Sequence, residues 1–418
     1  MLIRLILLLI ALLAFLILIK KPYYGYAMYY FGVFIRRHLF ANMQVRYQVM
    51  IQLMLIFFCL MAACISYHTE YGYRRIKIKS IKKAFYVVLF VCIVEAFVGR
   101  RNNYSYFQIL VDVYKVLEIF IIYYFLSYTI RKTVHFEKCF SLLLIEMCVF
   151  AIYELFTTKR GGTGLNIIMS CFPLLFARGF YFRNKRYWLT VLISCTSVLV
   201  SQTRTYMIGF LIGILIIVLI NRGAKKQEIL SQGMFLMIAV ATGFVLYIYI
   251  THNTFFTNLF LRISALSQGF ESTGQHRLYE IQKAIEKFKE APLFGKGYGY
   301  LEFVYIQLMG WFYWGDYMHN TYVEILCKTG IFGVVLYGGI VVTYIHHLIK
   351  SIKISNRMKM TFSAAFLTGG VAGTVSWMII YFAAPLSSYG YIFVPGIMSL
   401  LFFELDLREH YPKGDYNA

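Results

Sequence analysis

The sequence has little charge, and its apolar runs lack the polar positions that a soluble helix repeats at every turn. Of 418 residues only 14% are charged, against 60% hydrophobic and 19% aromatic, at a mean hydropathy of +0.65. That balance excludes a soluble globule, including a large soluble helical bundle. Acidic residues are the scarcer sign: 19 Asp and Glu face 41 Lys and Arg, for a net charge of +22. An excess of this size raises nucleic acid as a partner. The basic residues, however, fall in short segments between apolar runs. That placement argues against nucleic acid and fits both the positive-inside rule and anionic lipid head groups. The eight cysteines, Cys59, Cys64, Cys92, Cys139, Cys148, Cys171, Cys195 and Cys327, lie nearly all within apolar runs. With no Cys-x-x-Cys and no Cys/His cluster, they offer neither a disulfide framework nor a thiolate metal site, and read as small buried hydrophobes.

What is present is a series of apolar runs long enough to cross a hydrocarbon core of about 30 Å as helices of about 20 residues. The first, Leu2 to Ile19, is flanked by Arg4 and by Lys20-Lys21 and reads as an uncleaved anchor, since no small-x-small cleavage site follows. Others are expected at 45–66, 84–98, 104–128, 139–156, 165–182, 187–202, 205–220, 233–251, 331–349, 361–384 and 391–404. The expected fold class is all-α: a polytopic integral membrane protein of about 12 transmembrane helices. It forms a single transmembrane domain over residues 1–418, with one long external loop, 252–320, that contains short helices.

Alternating the segments gives a topology. The basic loops at Arg74–Lys83, Arg131-Lys132, Arg183–Arg186, Arg222–Lys226 and Lys350–Lys359 fall on one side, which defines the cytoplasm. Both termini then lie inside and loop 252–320 faces outward. Residues 20–46 dissent, being basic on the outer side; their Tyr-rich part, Tyr23 to Ile35, is expected to re-enter or to lie along the interface.

Within the long loop, Ser272-Thr273-Gly274 supplies capping chemistry and Leu278, Ile281, Ile285 and Phe288 recur at helical spacing. Glu280, Lys283, Glu286, Lys287 and Lys289 read as the solvated face of that helix, which Pro292 ends. Gly295-Lys296-Gly297-Tyr298-Gly299 reads as a tight turn. A phosphate loop would need a preceding strand and a Lys-Ser/Thr pair. The aromatic run Trp311–Gly315 reads as an interface belt, or as a platform for sugar rings. Asp316 could orient His319 if the turn brings them together. Taken singly, Arg204 could snorkel to the interface, Arg277 could be a surface charge and His319 a structural residue. His276 is a rival base.

Three landmarks then line up: Gln202-Thr203-Arg204 at the end of an apolar run, Arg277 before Pro292-Leu293-Phe294-Gly295-Lys296-Gly297, and His319-Asn320 before Gly330 and Gly333. Their order resembles the O-antigen polymerase/ligase superfamily of bacterial envelope glycosyltransferases, in detail over residues 200–335. Two positions depart from it: Thr203-Arg204-Thr205 stands where Ser-Arg-Gly is frequent, and Lys328 where an acidic residue is common.

The resemblance implies transfer of a glycan from an undecaprenyl-diphosphate carrier to an acceptor sugar hydroxyl, inverting and without metal or cofactor, at the outer face of a bacterial cytoplasmic membrane. It makes His319 the catalytic residue and Arg204 and Arg277 the diphosphate clamp, with Asp316, Asn320, Gly330 and Gly333 in supporting places. Membrane lipids, a chain-length regulator and a flippase are the implied partners. The chemistry of the residues agrees. Guanidinium forks suit a diphosphate gaining charge, and an imidazole titrates where a general base should. A repeat-unit polymerase is expected first, a ligase moving polymer onto lipid A-core or protein second. A lipid-linked oligosaccharide flippase is the alternative from another class, since Glu95, Asp112, Glu118, Glu146 and Glu154 lie in expected spans. No repeat between the halves supports it. Lys115, within a turn of Asp112 and Glu118, makes local pairing the preferred account.

Overall fold

A computed structural model describes residues 20–39, 78–157, 163–182, 185–200, 204–221, 226–235, 272–306, 311–315, 319–382 and 389–411, with isolated positions at 16–18, 54–65, 238 and 242. The segments expected at 2–19, 45–66 and 233–251, and Asp316, lie wholly or mostly outside these residues. The helices are α1 (Gly25–Leu39), α2 (Lys79–Arg101), α3 (Tyr106–Thr129), α4 (Thr133–Thr157), α5 (Thr163–Phe182), α6 (Lys185–Val200) and α7 (Arg204–Ile220). They continue with α8 (Ser272–Glu290), α9 (Thr321–Arg357), α10 (Thr361–Ile380) and α11 (Val394–His410). Every apolar run expected between 84 and 220 and between 331 and 404 is helical over most of its described residues. Helices α9 and α10 are long and apolar enough to cross a membrane, while the apolar stretches Leu165–Gly179, Tyr187–Val198 and Thr205–Ile220 are shorter.

Polarity across the bundle is inverted relative to a soluble protein. Its outer surface carries Phe90, Ile93, Phe97, Leu211, Leu215, Leu219, Val335 and Val342, whereas its interior holds Glu95, Asp112, Lys115, Glu118 and Arg178. A chain solvated by lipid is built this way, since apolar side chains lose nothing by facing acyl tails and ions must face each other. Helix α10 is the hub. Its small residues let neighbours approach closely: a Cβ on Gly369 would stand 2.5 Å from the Pro173 carbonyl oxygen of α5. Arg178 of α5 lies over the rings of Tyr187 and Phe362, 4.4 and 4.2 Å from their centroids, and bonds Glu137 at 2.9 Å.

The direction of each helix can be followed through its contacts. Gly209 of α7 packs on Ile380 and Gly213 on Ser376 of α10, so the two run antiparallel. The Thr321 N–H donates to the Tyr381 carbonyl at 3.0 Å and the Tyr322 hydroxyl to the Met378 carbonyl at 2.7 Å, which joins the start of α9 to the end of α10. The first residue of α7, the last turn of α10 and the first turn of α9 therefore share one end of the bundle. At the opposite end the Tyr411 hydroxyl bonds the Met358 carbonyl and the Thr133 N–H bonds Glu409. The helix ends flanking the basic loops lie there.

Three expectations need correction. The long loop contains helix α8, as expected, but also a strand pair outside an all-α class: β1 (Glu302–Ile306) and β2 (Trp311–Gly315) pair antiparallel, with Glu302 opposite Gly315 and Ile306 opposite Trp311. Of the two courses expected for the Tyr-rich segment, re-entry or lying along the interface, its burial overturns the second. The segment forms a 3-10 turn and then α1, whose Tyr26, Tyr29 and Tyr30 are buried, with the Tyr29 hydroxyl on Glu118. The face assignment of α8 holds only in part: Glu286 and Lys289 are exposed and Lys283 and Lys287 half-buried, but Glu280 does not belong to the solvated face. Leu278 and Ile285 are exposed, whereas Glu280 and Ala284 are buried, Ala284 in one apolar cluster with Cys327 of α9. A small residue allows closer helix approach than a large one, and Ala284, not the Leu/Ile row, marks the packing face.

Candidate active site

His319 stands at the residue before the cap of α9. The Asn320 side-chain oxygen accepts from the Val323 N–H at 3.1 Å, satisfying one of the donors a helix start leaves open. That cap fixes the entry of the chain and hence the direction of His319. Facing it is Glu280, three residues after Arg277 on α8. Glu280 Oε2 lies 2.8 Å from His319 Nδ1 and Oε1 lies 3.1 Å from it, while Oε2 also accepts from the His319 backbone N–H at 3.1 Å. The Glu280 side chain is 2% exposed and the imidazole 26%. A carboxylate can only accept, so Nδ1 carries the hydrogen and Nε2 becomes the basic nitrogen. A buried acid orienting an imidazole in this way is a recurring arrangement for general bases.

Among the described residues the carboxylate that meets His319 is Glu280; Asp316 lies outside them. Glu280 was missed because its row on α8 is charged and looks solvated. The signal that could have found it is the small Ala284 one turn further on.

Arg277 shares that face with Glu280, since residues three apart lie side by side on a helix. It is half-buried, and its Nε is buried with no hydrogen-bond partner among the described residues. An unsatisfied buried donor costs about 1–3 kcal/mol. An anion bound there would supply the missing acceptor. Arg204 is the first residue of α7, and the antiparallel register with α10 puts its backbone at the same end as His319. Its side chain, like that of His276, is outside the described residues.

Gly330 sits where α9 breaks, at φ 61° and ψ −163°. The loop after α8 fills the break. Ile331 and Phe332 N–H groups donate to the Pro292 and Leu293 carbonyls at 2.9 and 3.0 Å. Lys296 and Gly297 N–H groups donate to the Cys327 and Lys328 carbonyls at 2.9 and 2.8 Å. The helical bonds lost at Gly330 are replaced by the loop's backbone. A Cβ at Gly330 would stand 2.4 Å from the Leu293 oxygen, and one at Gly297 2.4 Å from the Gly99 nitrogen of α2. Gly333 gives room to the Thr329 side chain just before the break.

The glycine-rich run is no phosphate loop, because its donors are taken. Tyr298 N–H bonds the Glu95 carbonyl at 3.1 Å, and Gly299 N–H bonds Asp112 Oδ2 at 2.8 Å. Outside the bundle, Lys287 and Lys296 pair with Glu290 at the end of α8, holding its carboxyl down at about 2.

A helical membrane bundle with a carboxylate-backed imidazole and a buried guanidinium nitrogen that has no partner among the described residues is equipped to move a proton beside a bound anion. Residues 189–338 match the protein-family model described as O-Antigen ligase, a match that supports the resemblance to the O-antigen polymerase/ligase superfamily. That superfamily comprises glycosyltransferase-like membrane enzymes. The matched stretch contains Arg204, Arg277, His319, Gly330 and Gly333, as well as Glu280. No curated protein was found to match the chain.

Proposed function

We propose that the protein polymerises lipid-linked oligosaccharide repeat units at the outer face of the bacterial cytoplasmic membrane. Its donor is a glycan on undecaprenyl diphosphate and its acceptor a sugar hydroxyl of a second lipid-linked unit. The observation that carries this reading is the His319–Glu280 contact at 2.8 Å with Arg277 one turn away. In the reaction, the acceptor oxygen attacks the anomeric carbon as the bond from that carbon to the diphosphate oxygen breaks. His319 Nε2 takes the hydroxyl proton, and the resulting imidazolium is stabilised by Glu280. Arg277 and Arg204 receive the charge that builds on the diphosphate. Attack opposite the leaving group inverts the anomeric configuration and needs no metal. The basic ends of the described helices lie away from this site, which by the positive-inside rule supports the reading of an outward-facing site with both termini in the cytoplasm.

Ligation of finished polymer to lipid A-core or protein is the second reading, favoured by the description of the matching family. Envelope glycans of a deletion strain separate the two. Single repeat units left on the lipid support polymerisation, whereas polymer stranded on the carrier supports ligation. Restoring the gene as His319→Ala should leave membrane insertion intact and give no chain elongation, with the wild-type reaction persisting in chelator. Full-length polymer from that variant refutes the assignment of the base.

A further inference from the structure

We propose that Asp112, Glu324 and Lys328 are positioning residues for the His319 site: a buried ion cluster that keys the loop after α8 to the break in α9. The inference rests on the reading of His319 as a base. Lys328 Nζ lies 2.9 Å from Asp112 Oδ1 and 3.0 Å from Glu324 Oε1, and the three side chains are at most 3% exposed. Lys115 adds a second cation, 3.5 Å from Asp112 and 3.8 Å from Glu324, so the charges balance within the cluster.

Burying such ions is seldom stabilising compared with well-packed apolar residues, and its best-attested use is to fix one arrangement among several. Here the arrangement is visible. Asp112 spends its second oxygen on the Gly299 N–H, and the Lys328 carbonyl accepts from the Gly297 N–H, both at 2.8 Å. The same two residues therefore tie α3 to α9 through side chains and grip the loop through its backbone. That loop begins at the end of α8, which carries Arg277 and Glu280. Glu324 lies in the first turn of α9, its N–H bonding the Asn320 carbonyl at 3.0 Å, directly after His319. The cluster thus sets the rotation of α9 and the seat of α8, the two elements whose alignment makes the His319–Glu280 contact. Glu324 Oε2 is buried with no hydrogen-bond partner among the described residues. A side chain kept only to fill space would not leave an ionic oxygen unmet there. Apolar replacements could fill the volume, but they would let the loop slide along the break, because dispersion contacts have no direction.

The test uses full-length protein in nanodiscs, as Lys328→Met and Glu324→Gln. With 15N-labelled histidine, and a His319→Gln spectrum subtracted, NMR reads the His319 tautomer directly. The wild type should show a single Nδ1–H form. In Lys328→Met the two tautomers should interchange. For transfer from a lipid-linked donor, kcat should fall tenfold or more with KM within twofold. Glu324→Gln should give the same pattern more weakly, and it decides the matter if Lys328→Met is not recovered from membranes. A single locked tautomer with unchanged kcat in the recovered variants overturns the proposal. Tautomer exchange in the variants with no glycan transfer even by wild type would support positioning while refuting the base reading.

Discussion

Replacing Glu280 by Gln probes the site most sharply, because the side chain keeps its size while losing its charge. In the native contact Oε2 accepts from both the His319 backbone N–H and Nδ1–H, and Oε1 stands 3.1 Å from the same Nδ1. The amide of Gln has one oxygen. If that oxygen takes the Oε2 place, the amide NH2 points at the Nδ1–H. If it turns, the backbone N–H loses its acceptor and Nδ1 receives a hydrogen bond, which moves the ring proton to Nε2 and removes the base. Either way the charge-assisted bond is lost, worth about 1.5–3 kcal/mol. At about 1.4 kcal/mol per tenfold, kcat should fall roughly ten- to a hundredfold. The His319→Ala loss sets the ceiling, at about 10²–10⁴ for removal of a whole general base. Initial rates with purified protein and lipid-linked donor would measure this, with thermal unfolding as the control for folding. KM for the donor should hold, since Glu280 acts on the proton. If Glu280→Gln turns over within twofold of wild type while His319→Ala is inactive, Glu280 is structural and the argument fails.

Arg204→Lys and Arg277→Lys should each reduce transfer by tenfold or more with a rise in donor KM, because a point charge does not reproduce the guanidinium fork; wild-type turnover from both would remove the diphosphate clamp. Gly330→Ala should lower the thermal unfolding midpoint. Its φ of 61° and the 2.4 Å approach to the Leu293 oxygen impose strain of about 1–3 kcal/mol, and an unchanged midpoint would show that the break in α9 relaxes freely.

The helices were legible because apolar length is a strong signal, and the expected runs from 84 to 220 became helices with ends shifted by a few residues. The start of α9 was not. The hydropathy of 331–349 begins after Gly330, but Asn320 caps the helix ten residues earlier, and the polar turns between them hold the ion cluster. Pairing of Lys115 with Asp112 follows from their spacing, and the structure bears it out at 3.5 Å. Lys328 with Asp112 does not follow from spacing, because the partners are 216 residues apart and only the packing of α3 on α9 joins them. The same holds for His319 and Glu280. Local periodicity reported which residues of α8 are charged, but which face packs depends on where the neighbouring helix can approach, and that was decided by Ala284.

One helix supplying both Arg277 and Glu280 bears on the chemistry. Residues three apart on a helix are separated by about 4.5 Å along its axis. In an inverting transfer the proton leaves the acceptor oxygen on one side of the anomeric carbon while charge arrives at the diphosphate on the other. On the mechanism proposed above, Glu280 would stabilise the positive charge on the imidazole, and Arg277 the negative charge on the leaving group. Both changes occur in the same step, so the two side chains act on the two ends of one charge displacement. Were α8 to tilt, both ends would be lost together. A second guanidinium on a different helix, Arg204 at the start of α7, would then hold the donor without completing the transfer. The loop that reseals α9 at Gly330 opposes that tilt, since its four backbone hydrogen bonds to α9 and the Gly299 N–H bond to Asp112 would have to open before α8 could move.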